Sequence, residues 1–314
     1  MELAVAFQKK SSVSDDATQP DTMLLDNGMR HHAIPLRVLV WRRFIRHRLA
    51  LISSIVLLAI VLIAAAADVL APYDPAFIDP LVFDEAPTPA HPLGTDRIGR
   101  DVLSRLIHGG RISLSVGVVA VSIYMVIGVV LGALAGYYGS WVDNVISRII
   151  DIVLSFPTLM LILVLVSLLG PGLQNIMLVL GLLGWPQVAR IVRGEVLRLR
   201  ANDFVWAARM IGSPNSRIIT HHILPNAMGP MLVAATFGVA SAILSESALS
   251  FLGLGVQPPT ASWGQRLNDA QSLTILESKP WLWIPPGMMI LISVLSINFI
   301  GDSLRDALDP QLRR

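Results

Sequence analysis

The chain has 314 residues and a formal net charge of +2; 54% of its residues are hydrophobic and 15% are charged. Apolar residues make up about half of a soluble domain even when glycine is included, so this composition points away from a soluble protein. Cysteine is absent, which excludes disulfides and thiolate metal sites. The apolar residues gather in runs such as ALISSIVLLAIVLIAAA at 50–66, and about 20 such residues cross a bilayer core as a helix. The sequence therefore predicts an all-α, polytopic membrane protein.

A polar N-terminal segment precedes the apolar part of the chain. Residues 1–40 are rich in Ser, Asp, Thr and Gln without apolar periodicity, which predicts a disordered cytoplasmic tail. Residues 41–314 are predicted to form one transmembrane domain. Its six predicted spanning helices lie at 49–70, 112–136, 149–169, 173–192, 227–251 and 281–300.

The basic residues are divided unevenly between the two sides of these spans. With the N-terminus inside, 18 of the 24 Lys and Arg residues fall in inner segments and 6 in outer ones. Because cytoplasmic segments carry an excess of Lys and Arg, both termini are predicted to be cytoplasmic. Two long outer loops then lie at 71–111 and 253–280.

In the first outer loop, Asp96, Arg100, Asp101 and Arg105 suggest a short amphipathic helix, with Asp101 and Arg105 spaced for an i,i+4 ion pair. Such a surface could receive a partner protein. The alternative is a capped, solvated entry to the second span. The same two interpretations apply to Trp263 in the second outer loop.

Two features within the spans predict their packing. Gly128, Gly132 and Gly136 recur every four residues, so they share one face and allow a second helix backbone to come close. A direct role of these glycines in a pore is the alternative. Pro157 predicts a kink in the third span.

Three acidic residues fall within predicted spans. Asp68 and Asp151 lie near span ends, where interfacial water is available, and we expect structural roles for both. Glu246 lies deeper, and an intramembrane carboxylate is a functional candidate by default. It could contact cargo in a translocation pathway, or it could pair with a partner subunit and hold its helix in place.

A polar insert at 202–226 separates the fourth and fifth spans. NDFVWAARMI predicts a short helix capped by Asn202 or Asp203. Its apolar residues follow helical spacing and share one face. They are Phe204, Ala207, Ala208 and Ile211.

The second half of the insert predicts a turn and another helix. Gly212 suits the left-handed position just past a helix end. Ser213 offers an N-cap oxygen, and Pro214 fits the first helical position. This second helix is predicted to run to about Ile223, before LPN at 224–226 turns the chain into the fifth span. The insert is therefore predicted to be a cytoplasmic helix–turn–helix hairpin.

The hairpin has two possible uses. The small side chains of Ala207 and Ala208 leave room for close contact, and neighbouring arginines and histidines can meet a polar partner protein. The alternative is an amphipathic loop lying on the inner leaflet, with its arginines near anionic membrane lipids.

The pattern Ala207-Ala208, Gly212 and Leu224-Pro225 resembles the "EAA" loop of bacterial ABC importer permeases. In that family the loop is the coupling helix, which docks on a cytoplasmic ATPase. Two positions depart from the pattern: Trp206 replaces the usual Glu, and His222 replaces Ile. The coupling residues implied by the resemblance are Ala207, Ala208, Gly212, Ser213, Pro214, Leu224 and Pro225.

Three further segments carry the same resemblance. HPLGTDRIGRDVLSRLIHGGRISL, ESALSFLGLGVQPPTASWG and GDSLRDALDPQLR occur in the order found in the second permease subunit of dipeptide and oligopeptide importers. The resemblance covers most of the chain after residue 35. It implies the type I, MetI-like permease fold in a bacterial inner membrane. It also implies a homologous partner permease, two ATPase subunits and an extracytoplasmic substrate-binding protein, with no nucleic acid. Asp96, Arg100, Asp101 and Trp263 are the candidate contacts for that binding protein.

The sequence carries no energy source of its own. The phosphate-binding motif G-x-x-x-x-G-K-[ST] is absent, and no Gly-Lys dipeptide occurs. ATP and magnesium are therefore expected on the partner subunits, with no catalytic residue, cofactor or metal on this chain.

Peptides are the expected cargo, and three alternatives remain open. The same architecture could import a nickel–chelate complex or glutathione. A proton-coupled secondary transporter using Glu246 is a more distant possibility. An intramembrane enzyme is disfavoured, because the sequence has no H-E-x-x-H motif and no Ser/His or paired-Asp arrangement within the spans.

Overall fold

The computed structural model describes residues 44–45, 47–268 and 271–308, which form helices and loops without a β-strand. The predicted tail at 1–40 lies outside the described residues. The helices are α1 Arg48–Ala65, α2 Ala67–Leu70, α3 Val102–Tyr138, α4 Ser140–Leu154, α5 Thr158–Leu169, α6 Leu173–Arg200, α7 Asp203–Met210, α8 Asn215–Arg217, α9 Leu224–Phe251, α10 Trp263–Asn268, α11 Leu273–Ser278 and α12 Pro280–Leu308. A π-helical turn, Ile218–Ile223, joins α8 to α9.

Five helical runs among the described residues are long and apolar enough to cross a membrane: α1, α3, α6, the run Asn215–Phe251 and α12. A sixth span exists if α4 and α5 count as one broken span, since their axes meet at 83°. The predicted all-α polytopic fold is confirmed. The predicted count of six is met only by including the bent pair.

The third predicted span, 149–169, needs correction. Its first helix begins earlier, at Ser140, and the chain leaves the helical path before Pro157, so the predicted kink is a full break. Proline has no N–H to donate and disfavours the helical conformation in the residue before it. The 12 residues of α5 extend about 18 Å as a helix, which is too short to cross a bilayer core of about 30 Å alone.

Ion pairs hold α4 against α6. Arg193 on α6 donates two hydrogen bonds to Asp143, and Arg190 donates one to Asp151 at 3.2 Å. The apolar side of α4 packs through Ile146, which is buried. The two aspartates of α4 therefore attach it to α6.

The glycine face of α3 packs directly on α6. A Cβ added at Gly128 would lie 2.7 Å from Cβ of Val188, and one at Gly132 would lie 2.6 Å from the carbonyl oxygen of Ala189. Gly136 continues the contact one turn further, where an added Cβ would again be closer than 3.0 Å to α6. The packing role predicted for these glycines is confirmed.

The two ends of the bundle carry different elements. The loop end carries the two long loops, 71–101 and 252–262, together with α10 and α11. The hairpin end carries α7 and α8, next to the last turns of α3 and α6. Between them, α9 packs against α3, α6 and α12, and a cluster including Ile60, Ile243 and Ile290 joins α1 and α12 to α9.

The α3–α6 contact yields a stability prediction with a matched control on α6. Gly132→Ala should lower the free energy of unfolding by about 1–3 kcal/mol, because the new methyl group has no space. Gly194→Ala should leave it unchanged or raise it by about 0.5–1 kcal/mol, because nothing lies within 4 Å of its added Cβ and alanine favours the helix. Unfolding of the purified protein in SDS titrations measures both, and equal effects would contradict the packing assignment.

Candidate functional site

The turn of the hairpin has the hydrogen bonds of a Schellman motif. Gly212 has φ of +78°, and its N–H donates to the carbonyl oxygen of Arg209 at 2.9 Å. The N–H of Ser213 donates to the carbonyl oxygen of Ala208 at 3.1 Å. This pair of bonds ends a helix with a glycine in the left-handed region, as predicted for Gly212.

The first predicted helix start is confirmed in position, and the second is displaced by one residue. Asn202 occupies the cap position of α7, but its side chain makes no capping bond; its carbonyl oxygen accepts from the N–H of Val205 at 3.0 Å. The second arm begins at Asn215, one residue later than predicted, because Pro214 is extended, with ψ of 148°, and takes the cap position assigned to Ser213.

The predicted turn at Leu224-Pro225 does not form. The N–H of Leu224 bonds the carbonyl oxygen of Ile219, five residues back, and the helix then continues through the proline to Phe251. This wider π-helical turn is followed by Leu224 and then by Pro225, which has no N–H to donate. The second arm of the hairpin and the fifth span are therefore one helix.

The apolar face predicted for α7 is mostly exposed. Of the four residues assigned to the apolar face of α7, only Ala208 is buried, and Val205 is its buried companion. The exposed residues form an apolar surface that we call the hairpin surface. It consists of Phe204, Trp206, Met210 and Ile211, of which Met210 and Ile211 are 85% and 82% exposed.

A buried tyrosine at the end of α3 connects the hairpin to the bundle. The hydroxyl of Tyr137 donates to Oδ1 of Asn215 at 2.7 Å, and Arg200 donates to the Tyr137 carbonyl oxygen at 2.7 Å. The guanidinium of Arg209 lies 5.2 Å from the centre of the Tyr137 ring. Sequence reasoning missed this role, because Asn215 and Tyr137 are far apart in the chain.

A cleft of about 680 Å³ lies mainly between α6 and α9. Its lining is largely apolar, with polar groups from Gln187, Ser241 and Ser245, and with Arg305 contributing a charge. None of the site residues predicted from the sequence lines this cleft.

Tyr124 of α3 fills the inner wall of the cleft. Its side chain occupies the space left by two glycines: a Cβ at Gly184 would lie 2.4 Å from the ring, and one at Gly238 would lie 1.5 Å from the hydroxyl oxygen. Gly184 belongs to α6 and Gly238 to α9, so this residue separates the two helices that line the cleft.

At the loop end, Asp96 joins the two long loops. Its Oδ2 accepts from Arg100 at 2.8 Å and from Arg266 of α10 at 3.0 Å. Burial raises the pKa of the Asp96 carboxyl, but Arg266 and Arg100 outweigh burial and hold that pKa below its usual range. The i,i+4 ion pair observed here is Asp96–Arg100.

Asp101 caps α3 where a separate amphipathic helix was predicted. Its Oδ2 accepts the N–H of Ser104 at 2.7 Å, and its Oδ1 lies 2.9 Å from Nδ1 of His91. Residues 96–100 form a turn instead of that helix. The entry to the second span is capped as the alternative expected, but it is buried, with Asp101 only 3% exposed.

The predicted binding-protein contacts have their side chains inside the loop end. Asp96, Arg100, Asp101 and Trp263 are all buried, and the indole N–H of Trp263 donates to the carbonyl oxygen of Leu106 at 3.0 Å. Burial gives these side chains a role in shaping the loop end. Their contact with a delivering protein stays a prediction.

The acidic residues of the spans are each bonded within the chain. Asp68 pairs with Arg111 at 3.1 Å. Glu246 is fully buried, and its carboxylate accepts hydrogen bonds from the hydroxyls of Ser113, Ser250 and Ser262. Its predicted contact with cargo or with a partner subunit stays a prediction.

Most of the chain matches two known family models. Residues 128–314 match the family of binding-protein-dependent transport system inner membrane components. Residues 36–87 match the N-terminal transmembrane domain of oligopeptide transport permease C.

Individual relatives and a solved structure agree with these matches. The chain is 43% identical to the dipeptide transport system permease protein DppC of Alkalihalophilus pseudofirmus, over 85% of this chain and 88% of that protein. It is 39% identical to the glutathione transport system permease protein GsiD of Pectobacterium atrosepticum, over 87% and 90%. An inward-facing structure of the MetNI methionine ABC transporter shares the fold, with a TM-score of 0.54 at 21% identity, over 65% of this chain and 96% of the solved one.

The tyrosine contact leads to a test of how the hairpin is held. Tyr137→Phe removes the hydroxyl that bonds Asn215, so amide hydrogen exchange across 203–217 should become about tenfold faster, the equivalent of one lost hydrogen bond. Tyr138→Phe is the matched control, since its neighbouring ring is 49% exposed. If both variants exchange alike, Tyr137 does not position the hairpin.

Proposed function

We propose that this chain forms half of a membrane pathway for peptides. It belongs to the family of binding-protein-dependent transport system inner membrane components and is a permease subunit of an ABC importer. Permeases of this family work in an inner membrane with a partner permease, ATPases and a binding protein. The named peptide relative, 43% identical over most of both chains, is the observation that carries the proposed cargo. ATP and magnesium belong to the ATPases, and the permease itself is not an enzyme.

The hairpin surface is the proposed docking site for one ATPase subunit. An exposed apolar surface that the chain itself leaves uncovered favours contact with another protein. The small residue Ala207 lies among these exposed side chains and permits close approach. Gly212, Ser213 and Pro214 fix the turn behind this surface, and Leu224-Pro225 lie within the helix that carries it onward.

Continuity of the helix gives docking a mechanical consequence. A displacement of the hairpin moves α8, the π-helical turn and α9 together, since they form one run. Because α9 lines the cleft, the same displacement changes the width of the cleft between α6 and α9. Rigid-body reorientation of packed helices is an established way to alternate between two states.

The lining of the cleft suits peptides with different side chains. The hydroxyl groups of Ser241 and Ser245 and the amide of Gln187 can bond the amide groups that every peptide carries. The apolar walls form no hydrogen bonds and so select little between peptide side chains. In the complex, the partner permease would enclose the other side of the cleft.

The basic residues support an inward orientation of both chain ends. The excess of Lys and Arg in the predicted inner segments would place the hairpin and Arg305 in the cytoplasm. The loop end then faces the binding protein.

Glutathione remains the alternative cargo, because a relative that is 39% identical carries it in its name. A nickel–chelate complex is the other expected alternative with this architecture. Family membership favours an ATP-driven importer over the proton-coupled transporter.

The docking role is tested at Gly212. Gly212→Pro cannot adopt a φ of +78°, so we expect normal membrane insertion but at least tenfold slower uptake and loss of the co-purified ATPases. Gly212→Asn is the matched control, because asparagine tolerates the left-handed region, and it should retain most uptake. Normal uptake by correctly assembled Gly212→Pro would refute the docking role.

The cargo is tested in proteoliposomes that contain the complete importer and its binding protein. We expect ATP-dependent uptake of a radiolabelled dipeptide that excess unlabelled dipeptides and tripeptides suppress, because the cleft bonds backbone amides. Preferential uptake of glutathione, or of a nickel–histidine chelate, would replace the proposed cargo and leave the permease assignment intact.

A further inference from the structure

The carboxylate of Glu246 sits where three parts of the chain meet at the loop end. Ser250, one turn further along α9, donates to Oε1 at 2.7 Å. Ser262, just before α10, donates to the same oxygen at 2.8 Å, and Ser113 of α3 donates to Oε2 at 3.2 Å. All four residues are buried, so these bonds form away from water. A buried carboxylate is costly unless such donors satisfy it.

Each of these serines also receives a backbone N–H from the second long loop or from α10. The N–H of Val256 donates to Oγ of Ser250 at 3.1 Å. In the same way, the Trp263 N–H donates to Ser113 at 3.2 Å and the Gln265 N–H to Ser262 at 3.1 Å. The backbone N–H groups can only donate, so each hydroxyl keeps its single proton for Glu246.

The bonds in this cluster run from backbone N–H to serine hydroxyl to carboxylate. We call the cluster of Glu246 and its three serines the serine relay. The two carboxylate oxygens of Glu246 accept the protons of all three hydroxyls. A glutamine would replace one of these oxygens with an N–H₂ group, so at least one serine hydroxyl would lose the acceptor for its proton.

The loop is also pressed closely onto α9 beside the relay. A Cβ added at Gly255 would lie 1.9 Å from Oγ of Ser250, and one at Gly264 would lie 2.5 Å from Cα of Ser247. Without side chains at these two positions, the loop backbone comes within reach of the serines. This close backbone contact does not depend on the hydrogen bonds, and it also places the second long loop and α10 against α9.

We propose that Glu246 is a positioning residue that anchors the second long loop and α10 to α3 and α9 through the serine relay. Its helix runs without a break to the hairpin, so the relay joins the loop end to the same rigid element that meets the ATPase. Arg266 of α10 then extends the connection to Asp96 in the first long loop. Delivery of cargo at the loop end would reach the hairpin by this route, a consequence that rests on the proposed function.

Hydrogen exchange in the complete importer, reconstituted in lipid nanodiscs, tests the anchor itself. In Glu246→Gln and in Ser113→Ala, the amides of 256–265 should exchange about tenfold faster, as expected for one lost hydrogen bond. Exchange in α6 should stay unchanged. Ser115→Ala is the matched control, because this hydroxyl, two residues along α3, bonds only its own helix at Ile112 as the structure describes it.

Each result has a defined meaning. Faster exchange confined to 256–265 in both variants, with Ser115→Ala unchanged, supports the relay, and a double variant should show less than the sum of the two effects. If Glu246→Gln unfolds, Ser113→Ala alone decides, since it removes one of the three connections. Unchanged exchange in Ser113→Ala would overturn the proposal.

A second measurement separates the relay from the proposed function. In Glu246→Gln, the concentration of binding protein that gives half-maximal ATPase stimulation should rise at least about tenfold, equivalent to 1.4 kcal/mol or more. An unchanged value would overturn the transmission role of Glu246. A wild-type complex that lacks stimulation by its binding protein would count against the proposed function, while the exchange result would still decide the anchor.

Discussion

The unbroken helix from Asn215 to Phe251 is the constraint on which the rest of the structure depends. Within a bilayer, backbone groups must be satisfied inside the helix, so a helical run can cross from one face to the other as a stiff element. Here that element carries the second arm of the hairpin at one end, the wall of the cleft along its middle and Glu246 near the other end. Motion at one end therefore has consequences at the other.

The α3–α6 pair supplies the frame against which this helix can move. Glycines let the two backbones touch, and Tyr124 sets the distance from that frame to α9 at the cleft. Tyr137, at the end of α3, receives the hairpin through Asn215. The hairpin is thus attached both to the frame and to the long helix. On the proposed function, a displacement of the hairpin would change the spacing between that helix and the frame.

Sequence patterns predicted the features that depend on residues close together in the chain. The glycine spacing on α3 and the left-handed Gly212 depend on residues close together in the chain, and both were confirmed. The kink predicted at Pro157 is a full break. Contacts between distant segments decided the rest. Asp96 bonds Arg266, 170 residues away, and Val205 is buried in a cluster that includes Leu199 and Ile218. Periodicity identified an amphipathic α7 but could not show which neighbours its faces would have.

Cross-linking from the hairpin surface tests the central claim most directly, because the natural chain has no cysteine. A benzophenone attached to Met210→Cys, at a position 85% exposed, should form an adduct with an ATPase subunit in the assembled importer. The same probe on Val69→Cys, 86% exposed at the loop end, should not. An adduct only with lipid, or none at all, from position 210 of an active complex would contradict the account.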